Sequence, residues 1–234
     1  MGVRYDIVMA NYVNDRTLPI VSESLAAIRR CSGSDYRLLL IDNGSPAFDA
    51  LGPELGLHRN LIVVRNAENL GFVKATNQGI MLSTAERVVL LNNDAVPMAP
   101  GWLERLDAAL TGTVGIVGPR SQPNGTLSGQ MPYLSSTVLP RSSMLVFFCA
   151  MLTREVVERV GLLDESLGIG LGDDDDYCYR AQAAGFDLCY LGDLMVWHYH
   201  KTTFRQLFTA QQVYAMGHAA KARLVAKGTW RAGA

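Results

Sequence analysis

The sequence predicts an α/β fold with a mostly parallel central sheet, flanking helices, a small antiparallel excursion and a helical C-terminal tail. In its first half, short β-branched runs alternate with helical patterns, which is typical of parallel strands joined by crossover helices. The runs are continuously apolar, which indicates strands covered on both faces. Beyond residue 119 the sequence is first rich in turn formers and then apolar again, which favours antiparallel pairing.

The first half contains four predicted strands and three predicted helices. Strands are expected at Tyr5 to Ala10, Arg37 to Asp42, Leu61 to Asn66 and Arg87 to Asn92. The first helix follows Thr17 and Pro19, where Leu18, Val21, Leu25 and Ile28 recur at helical spacing. The other two are expected at Phe72 to Leu82 and Trp102 to Leu110.

The second half predicts shorter elements. Strands are expected at Val114 to Pro119, Met144 to Leu152, Asp187 to Leu191 and Met195 to His198. A helix from Arg154 to Val160 closes at Gly161, and a glycine-rich loop, Gly168 to Gly172, leads into a helix that ends at Gly185. No linker divides the chain into independent domains, so we expect one domain over residues 1–200, followed by a basic helical tail over residues 201–234.

The composition excludes several classes of protein. The chain has 234 residues, of which 49% are hydrophobic, enough for one domain with a sizeable core. No run reaches the ~20 apolar residues of a membrane span, and the N-terminus lacks the build of a signal peptide, so we expect a cytoplasmic protein. A formal charge of −1 argues against a nucleic-acid partner.

The four cysteines are widely spaced within apolar runs, and no CxxC pair occurs among them. This pattern predicts buried free thiols at Cys31, Cys149, Cys178 and Cys189. A zinc site built from Cys178, Cys189, His198 and His200 is an alternative, although no close pair of ligands anchors it.

Polar residues follow the predicted strands, at the place where open α/β sheets bind ligands. They are Asn11, Asp42, Asn69 and the run Asn92-Asn93-Asp94. The turn after the first strand has no glycine, and no GxxxxGK[ST] motif occurs, so neither familiar phosphate-binding loop is present. A bound diphosphate must therefore be neutralised in another way, and a metal ion is the usual alternative.

The run ending at Asp94 offers oxygen ligands suited to Mg²⁺ or Mn²⁺ at the sheet edge. The alternative is a strand end followed by an Asx turn before Pro97. His198, at the end of a late strand, is a second candidate ligand. A lone histidine there is more often structural, and His200, two residues on, faces the same side and competes for the role.

Four consecutive carboxylates, Asp173 to Asp176, precede a helical segment. Acidic residues stabilise helix N-termini by ~0.3–1 kcal/mol each, which is the structural interpretation. Four in a row exceed that need, and their mutual repulsion raises the pKa of some members. A carboxylate tuned in this way is a candidate general base toward an alcohol.

Taken together, several motifs resemble glycosyltransferase family 2 in order and spacing. They are Asp42 to Ser45, Asn69 to Phe72 with Asn77 to Ile80, Leu91 to Asp94, Gly161 to Glu165, Gly172 to Arg180 with Ala184-Gly185, and Val196 to His198. The resemblance covers about Tyr5 to His200. It implies a Rossmann-like, glycosyltransferase A-type fold, a nucleotide-sugar donor and a divalent metal, Mn²⁺ or Mg²⁺.

The resemblance also implies roles for individual residues. Asp42 matches the acid that holds the nucleobase, and the positions lining the nucleotide are Asn11, Asn69, Lys74 and Asn93. Asp94 matches the last acid of the DxD metal motif, and His198 matches a histidine that often completes the coordination. Asp174 matches the catalytic base.

The sequence departs from the family pattern at two positions. Asn92 replaces the first acid of DxD, which leaves one carboxylate in the motif and weakens the expected metal affinity. Asp173 stands where glutamate is common, so Asp173 and Asp174 both remain candidates for the base.

These matches predict an inverting, metal-assisted hexosyl- or deoxyhexosyltransferase of polysaccharide biosynthesis. The donor is a UDP-, dTDP- or GDP-sugar, and the acceptor is a glycan or a lipid-linked hydroxyl. A nucleotidyltransferase is a rival interpretation, but it would show a glycine-rich basic loop after the first strand. A weakly active or inactive homologue that binds nucleotide sugars or carbohydrate is the second rival, favoured by the missing acid of DxD.

The tail from Lys201 onward carries six basic residues and no acidic one. Apolar residues recur in it at roughly helical spacing: Phe204, Leu207, Phe208, Tyr214 and Val225. One interpretation is a helix packed on the core with a solvated basic face. The other is peripheral contact with an anionic membrane carrying a lipid-phosphate acceptor, or with an acidic glycan.

Overall fold

The computed structural model describes residues 3–121, 136–139, 143–168, 170–199 and 207–230, which form nine strands in one curled sheet with helices on both faces. The strands are β1 (Tyr5–Asn11), β2 (Tyr36–Asn43), β3 (Leu61–Asn66), β4 (Arg87–Leu91), β5 (Ala95–Pro97), β6 (Val114–Arg120), β7 (Ser136–Val138), β8 (Cys149–Thr153) and β9 (Asp187–His198). The helices are α1 (Leu18–Cys31), α2 (Gly52–Leu55), α3 (Phe72–Leu82), α4 (Trp102–Ala108), α5 (Arg154–Val160), α6 (Asp173–Ala183) and α7 (Ala210–Lys227). Short 3₁₀ helices span Phe48–Leu51 and Glu165–Leu167.

The first half of the sheet is parallel, as predicted, and runs in the order β3-β2-β1-β4. The carboxyl ends of these strands therefore meet at one edge, where Asn11 of β1 is paired in register with Asp42 of β2. The polar residues that follow the strands are gathered there by the topology alone.

The second half is largely antiparallel and extends further than the single predicted excursion. β8 lies between β4 and β6 and is antiparallel to both, while β9 is parallel to β6. β5 and β7 each pair antiparallel with β9. The turn-rich segment at 122–135 lies outside the described residues.

Two differences between the predicted and observed strands exceed a single residue. Of the run Met144 to Leu152, only the part from Cys149 onward is in β8, because the preceding residues pack their side chains between elements and do not join the sheet. The two strands predicted at Asp187 to Leu191 and Met195 to His198 are one strand, β9. A register shift opposite β6 accommodates the intervening residues that look like a turn in the sequence.

The core has two parts, one on each face of the sheet. Ile7 and Met9 of β1 pack on the side of α1 and α4, whereas Val8 packs on the side of α3, α5 and α6. The central strands are thus covered on both faces, as the continuous apolar runs predicted. β3 is the exception, because it lies at the sheet edge and leaves Ile62 and Val63 exposed.

The four cysteines are buried thiols, as the spacing predicted. In the parts of the chain that are described, no helix has the length and apolar character needed to span a bilayer. The predicted helical tail is present as α7, which begins with a capping box between Thr209 and Gln212 and ends at Gly228 in the left-handed conformation.

The contact between α3 and β1 supports a test of the packing. A Cβ atom at Gly79 would lie 2.3 Å from Cγ1 of the buried Val8. We expect Gly79→Ala to lower the free energy of unfolding by ~1–3 kcal/mol through overpacking. Gly217 of α7 has nothing within 4 Å of the same position, so Gly217→Ala should raise it by up to ~1 kcal/mol through helix propensity.

Urea unfolding of both variants measures the two differences. A stabilising effect of Gly79→Ala similar to that of Gly217→Ala would contradict the close packing of α3 on β1.

Candidate active site

The end of β9 is brought beside the end of β4 by a short antiparallel pairing with β5. Ala95 pairs with His198 in register, and the Tyr199 amide donates to the Asp94 carbonyl at 3.0 Å. His198 Nε2 consequently lies 3.1 Å from Asp94 Oδ1, and both side chains are almost fully buried. The side-chain amide nitrogen of Asn92 lies 3.3 Å from the same ring nitrogen.

The run Asn92 to Asp94 forms a turn that is closed by backbone groups, and its side chains also form part of a cluster. The Ala95 amide closes the turn by donating to the Asn92 carbonyl at 3.1 Å. Phe148 holds the cluster from the side: its ring stacks on His198 with 4.9 Å between centroids. The carbonyl of Phe148 accepts a 2.9 Å hydrogen bond from the backbone amide of Asn92.

The chemistry of this cluster fits a divalent cation. Asn92, Asp94 and His198 offer an amide oxygen, a carboxylate and an imidazole nitrogen, which are donors used for such ions. Asn92 Oδ1 is buried and has no hydrogen-bond partner among the described residues, so it has acceptor capacity for a cation. The described residues contain no group of three or more His, Cys, Asp or Glu side chains that could hold a metal, so Asn92 would be an essential third donor.

The zinc alternative receives no support from the described residues. The Cys178 sulfur lies in the core against the backbone of Leu145, within 3.4 Å of its amide nitrogen. Cys189 is buried in the core cluster on the opposite face of the sheet. His200 lies outside the described residues, so the choice between it and His198 is not tested.

A row of polar side chains continues from this cluster along the carboxyl edge of the sheet. The side-chain amide of Asn93 donates to Asn11 Oδ1 and to the Tyr12 carbonyl, both at 3.1 Å. The side-chain amide of Asn11 donates in turn to Asp42 Oδ1 at 3.5 Å. These hydrogen bonds connect Asn93, Asn11 and Asp42, three of the residues predicted to bind the nucleotide. Asn93 directly precedes Asp94, so the row begins at the cluster of Asp94 and His198.

Arg65 is a residue of this edge that the sequence analysis missed. It lies opposite Asp42 in the register of β2 and β3, and its Nε donates to Asp42 Oδ2 at 3.3 Å. Asp42 is buried, whereas the Arg65 side chain is 53% exposed and lies over the ring of Phe48. Only the strand register brings this pair together, and the sequence does not reveal that register.

The other two predicted nucleotide residues lie in and after the loop that leads into α3. Asn69 Oδ1 accepts from the Gly71 amide at 2.9 Å and from the Asn43 side chain at 2.8 Å, so it shapes the loop. Lys74 is exposed on α3. Among the described residues, neither makes a hydrogen bond or ion pair with the row from Asp42 to His198, and their roles remain predictions.

The acidic run forms the first turn of α6, after Gly172 in the left-handed conformation. Burial, followed by the charges of Asp175 and Asp176, raises the pKa of Asp173 to about 6. Burial, followed by the charges of Asp173 and Asp175, also raises the pKa of Asp174 well above its usual range. Asp173 is 5% exposed, whereas Asp174 is only half-buried and is the more accessible of the two candidate bases.

The acidic turn and the cluster at His198 are linked by two consecutive aromatic residues. Phe148 stacks on His198, while the ring of Phe147 meets that of Tyr177 in α6 edge-on, with 5.7 Å between centroids. The glycine loop before α6 also lies close to the start of α3, because a Cβ at Gly170 would lie 2.9 Å from Cβ of Phe72. Helix α6, which carries the candidate base, is therefore connected to the cluster at Asp94 through Phe147 and Phe148, and the loop before it contacts the start of α3.

The sequence and the fold are those of a family of transferases. The model of the glycosyltransferase-like family 2 matches residues 7–213, and the chain belongs to that family. The pre-mycofactocin glycosyltransferase of Mycobacterium tuberculosis is 28% identical over 213 residues, covering 83% of this chain and 44% of that protein. The chain spans less than half the length of the curated relatives that it matches.

Solved structures confirm the glycosyltransferase A-type fold. The mannosyltransferase PcManGT of Pyrobaculum calidifontis, in complex with GDP-Man and Mn²⁺, superposes with a TM-score of 0.69 at 20% identity, covering 85% of this chain and 57% of that one. GalNAc-T7 with UDP, GalNAc and Mn²⁺ gives a TM-score of 0.67 at 16% identity, covering 83% of this chain and 43% of that one. At these identities the likeness is one of fold.

The opposite pKa shifts of Asp174 and Asp164 predict opposite effects on stability. Ionisation of Asp174 opposes folding, because its folded pKa is raised, so stability is lost as pH rises above about 4. Asp174→Asn should raise the melting temperature at pH 8 and leave it unchanged at pH 4. The hydrogen bond from Lys227 lowers the pKa of Asp164 to about 2, so its ionised form stabilises the fold above about pH 4.

Asp164→Asn should accordingly lower the melting temperature at pH 8. Thermal unfolding of both variants between pH 4 and pH 8 measures the two slopes. Equal shifts in the same direction would show that the acidic turn carries no electrostatic strain.

Proposed function

We propose that the chain is an inverting glycosyltransferase that moves a sugar from a nucleoside-diphosphate sugar to an acceptor hydroxyl. The observation that carries the proposal is the row of polar side chains from Asp42 to His198 at the carboxyl edge of the sheet, to which Phe147 and Phe148 connect helix α6. Membership of the glycosyltransferase-like family 2 supports it. The neighbouring structures with GDP-Man or UDP and Mn²⁺ support a nucleotide-sugar donor and a divalent metal.

The nucleotide would bind along the carboxyl edge of β1, β2 and β4. Asp42 and its partner Arg65 would contact the nucleobase, where a carboxylate accepts from ring N–H groups. Asn11 and Asn93 continue the row toward the diphosphate, and Asn69 and Lys74 are proposed to line the nucleotide from the α3 side. A uracil, thymine or guanine base each offers an N–H group to such an acceptor, so these donors remain candidates.

Asn92, Asp94 and His198 would hold Mn²⁺ or Mg²⁺ where the diphosphate leaves. When bound, the cation supplies positive charge that stabilises the departing diphosphate. The burial of Asp94 and His198 lowers the local dielectric, which strengthens any electrostatic contact made there. The stacked Phe148 ring keeps the imidazole in one orientation.

Asp174 is proposed as the general base. Its carboxylate takes the proton of the acceptor hydroxyl while the hydroxyl oxygen forms a bond to the anomeric carbon. The bond from that carbon to the diphosphate oxygen breaks on the opposite face, and the electron pair leaves with the nucleoside diphosphate. One such displacement inverts the anomeric centre. The raised pKa of Asp174 suits this role, because a base is most effective when its pKa approaches the working pH.

The rival proposal is a weakly active homologue that binds nucleotide sugars without efficient transfer. It is favoured by Asn92, which supplies a neutral oxygen where the family has an acid. Thermal-shift measurements with UDP-GlcNAc, UDP-GalNAc, dTDP-glucose and GDP-mannose, each with and without Mn²⁺, would identify the donor. Release of nucleoside diphosphate from that donor would then indicate an active enzyme, and binding without release would favour the rival.

The acceptor and the role of the basic tail belong to the same proposal. The described contacts of α7 favour packing over membrane binding, since two basic side chains are engaged by the protein: Lys227 with Asp164 and Asp176, and Arg223 with the Leu167 carbonyl. We therefore favour a glycan acceptor over a lipid-linked one. A cytoplasmic location and a role in polysaccharide biosynthesis remain predictions.

The assignment of the base predicts the behaviour of two neighbouring carboxylates. Asp174→Asn should lower the rate of nucleoside diphosphate release by ~10²- to 10⁴-fold and leave donor affinity nearly unchanged, because it removes only the proton acceptor. Asp173→Asn should have a much smaller effect, since Asp173 is more deeply buried. The reverse order in steady-state kinetics would assign the base to Asp173.

The assignment of the metal ligands predicts the loss of metal-dependent binding. Asp94→Ala and His198→Ala should each abolish the Mn²⁺-dependent part of nucleoside diphosphate binding in calorimetry, because Asn92 alone is a weak ligand. His218→Ala is the control, since His218 is exposed on α7 beside Tyr214. Binding retained in His198→Ala but lost in His200→Ala would transfer the role to the other histidine.

A further inference from the structure

Helix α7 touches the rest of the protein along a narrow stripe. Only Ala220 and Leu224 are buried among its residues, one helical turn apart, and Arg223 and Lys227 flank them. Tyr214 and Val225, on another face of the helix, are exposed. Among the described residues, the helix is therefore attached mainly through the side that carries Ala220 and Leu224.

The apolar half of the contact is the glycine loop that precedes the acidic turn. A Cβ at Gly172 would lie 3.0 Å from Leu224 Cδ1 and 3.6 Å from Cβ of Ala220. The guanidinium of Arg223 donates to the Leu167 carbonyl at 3.0 Å. On its other side the loop meets α3, because a Cβ at Gly170 would lie 2.9 Å from Phe72. The loop is held between α3 and α7, with no space for side chains at these two glycines.

The charged half of the contact is made by Lys227. Its ammonium lies 2.7 Å from Asp176 Oδ1 and is also ion-paired with Asp164, which caps the 3₁₀ helix before the loop. Asp176 is fully buried in the first turn of α6, and its other oxygen accepts from Arg180 at 2.7 Å. Lys227 thus ties together the two ends of the segment that carries the glycine loop.

We propose that Lys227 and Leu224 are positioning residues of the transfer reaction, which fix the glycine loop and the first turn of α6 so that Asp174 is correctly placed. This inference rests on the proposed function of Asp174. Asp174 is two residues from both Gly172 and Asp176, which are two of the points at which α7 makes contact. A shift at either point is passed directly to the carboxylate. Misplacement of a reacting group by about 1 Å costs as much as ~10²-fold in rate.

The test compares Lys227→Met with the control Lys221→Met. Lys221 is on the same helix, but its ammonium lies over the ring of Trp230, 4.7 Å from the centroid. With whichever of the four nucleotide sugars the screen above identifies as the donor, Lys227→Met should lower kcat by about 10- to 100-fold. The KM for that donor should stay within about twofold, because no predicted nucleotide residue makes a hydrogen bond or ion pair with α7 among the described residues. Lys227→Arg should restore most of the rate, and Lys221→Met should be near wild type.

Folding and positioning are separated by a second variant and a second measurement. Asp176 keeps Arg180 when Lys227 is lost, so the fold should survive. If Lys227→Met does not fold, Lys227→Met with Asp176→Asn removes both charges and allows the same comparison. Hydrogen–deuterium exchange of the peptide covering α6 should be faster in Lys227→Met than in wild type, and unchanged in Lys221→Met.

The outcomes are distinguishable from failure of the proposed function. If the wild-type chain releases no nucleoside diphosphate, the proposed function is wrong, and the exchange data alone decide whether α7 fixes the acidic turn. If Lys227→Met matches Lys221→Met in both rate and exchange, the positioning role is wrong. A parallel rise in KM and fall in kcat, without rescue by Lys227→Arg, would indicate a general structural defect and would also overturn it.

Discussion

The candidate active site of this protein depends on the pairing of β5 with β9. Asn92 and His198 are separated by 106 residues in the sequence, and three residue pairs between these strands bring their side chains into contact. Because the pairing continues through the Tyr199 amide to the Asp94 carbonyl, the backbone itself sets the separation of Asp94 and His198. This contact has little freedom to adjust, which suits the proposed role of holding several ligand atoms around one cation.

The candidate base is held in a different way. The first turn of α6 contains three carboxylates whose pKa values are raised, and burial is the first cause in each case. This arrangement opposes folding at neutral pH, and it persists because the surroundings compensate. Asp176, the fourth acid, is ion-paired with Arg180 and Lys227. The electrostatic strain thus remains at Asp173, Asp174 and Asp175, and the first two of these are the candidates for the proposed general base.

Much of the fold could be predicted from the sequence because local patterns determine it. The strand at Leu61–Asn66 and the helices at Phe72–Leu82 and Arg154–Val160 have the predicted bounds. β5 was missed because three residues, one of them Pro97, give no strand pattern. Arg65 and Lys227 were missed as partners of Asp42 and Asp176, since both contacts depend on register or docking between distant segments.

The candidate site likewise has a part that could be predicted from the sequence and a part that could not. The row from Asp42 to Asp94 follows from a rule of topology, because the ends of parallel strands must meet at one edge. The position of His198 and the attachment of α7 depend on long-range antiparallel pairing and on the fit of Leu224 against Gly172, which no local pattern encodes. In the proposed mechanism, donor binding therefore depends on the rigid sheet, whereas placement of the base depends on a helix attached by a few contacts. Substitutions in α7 are consequently expected to alter turnover while leaving the proposed nucleotide edge intact.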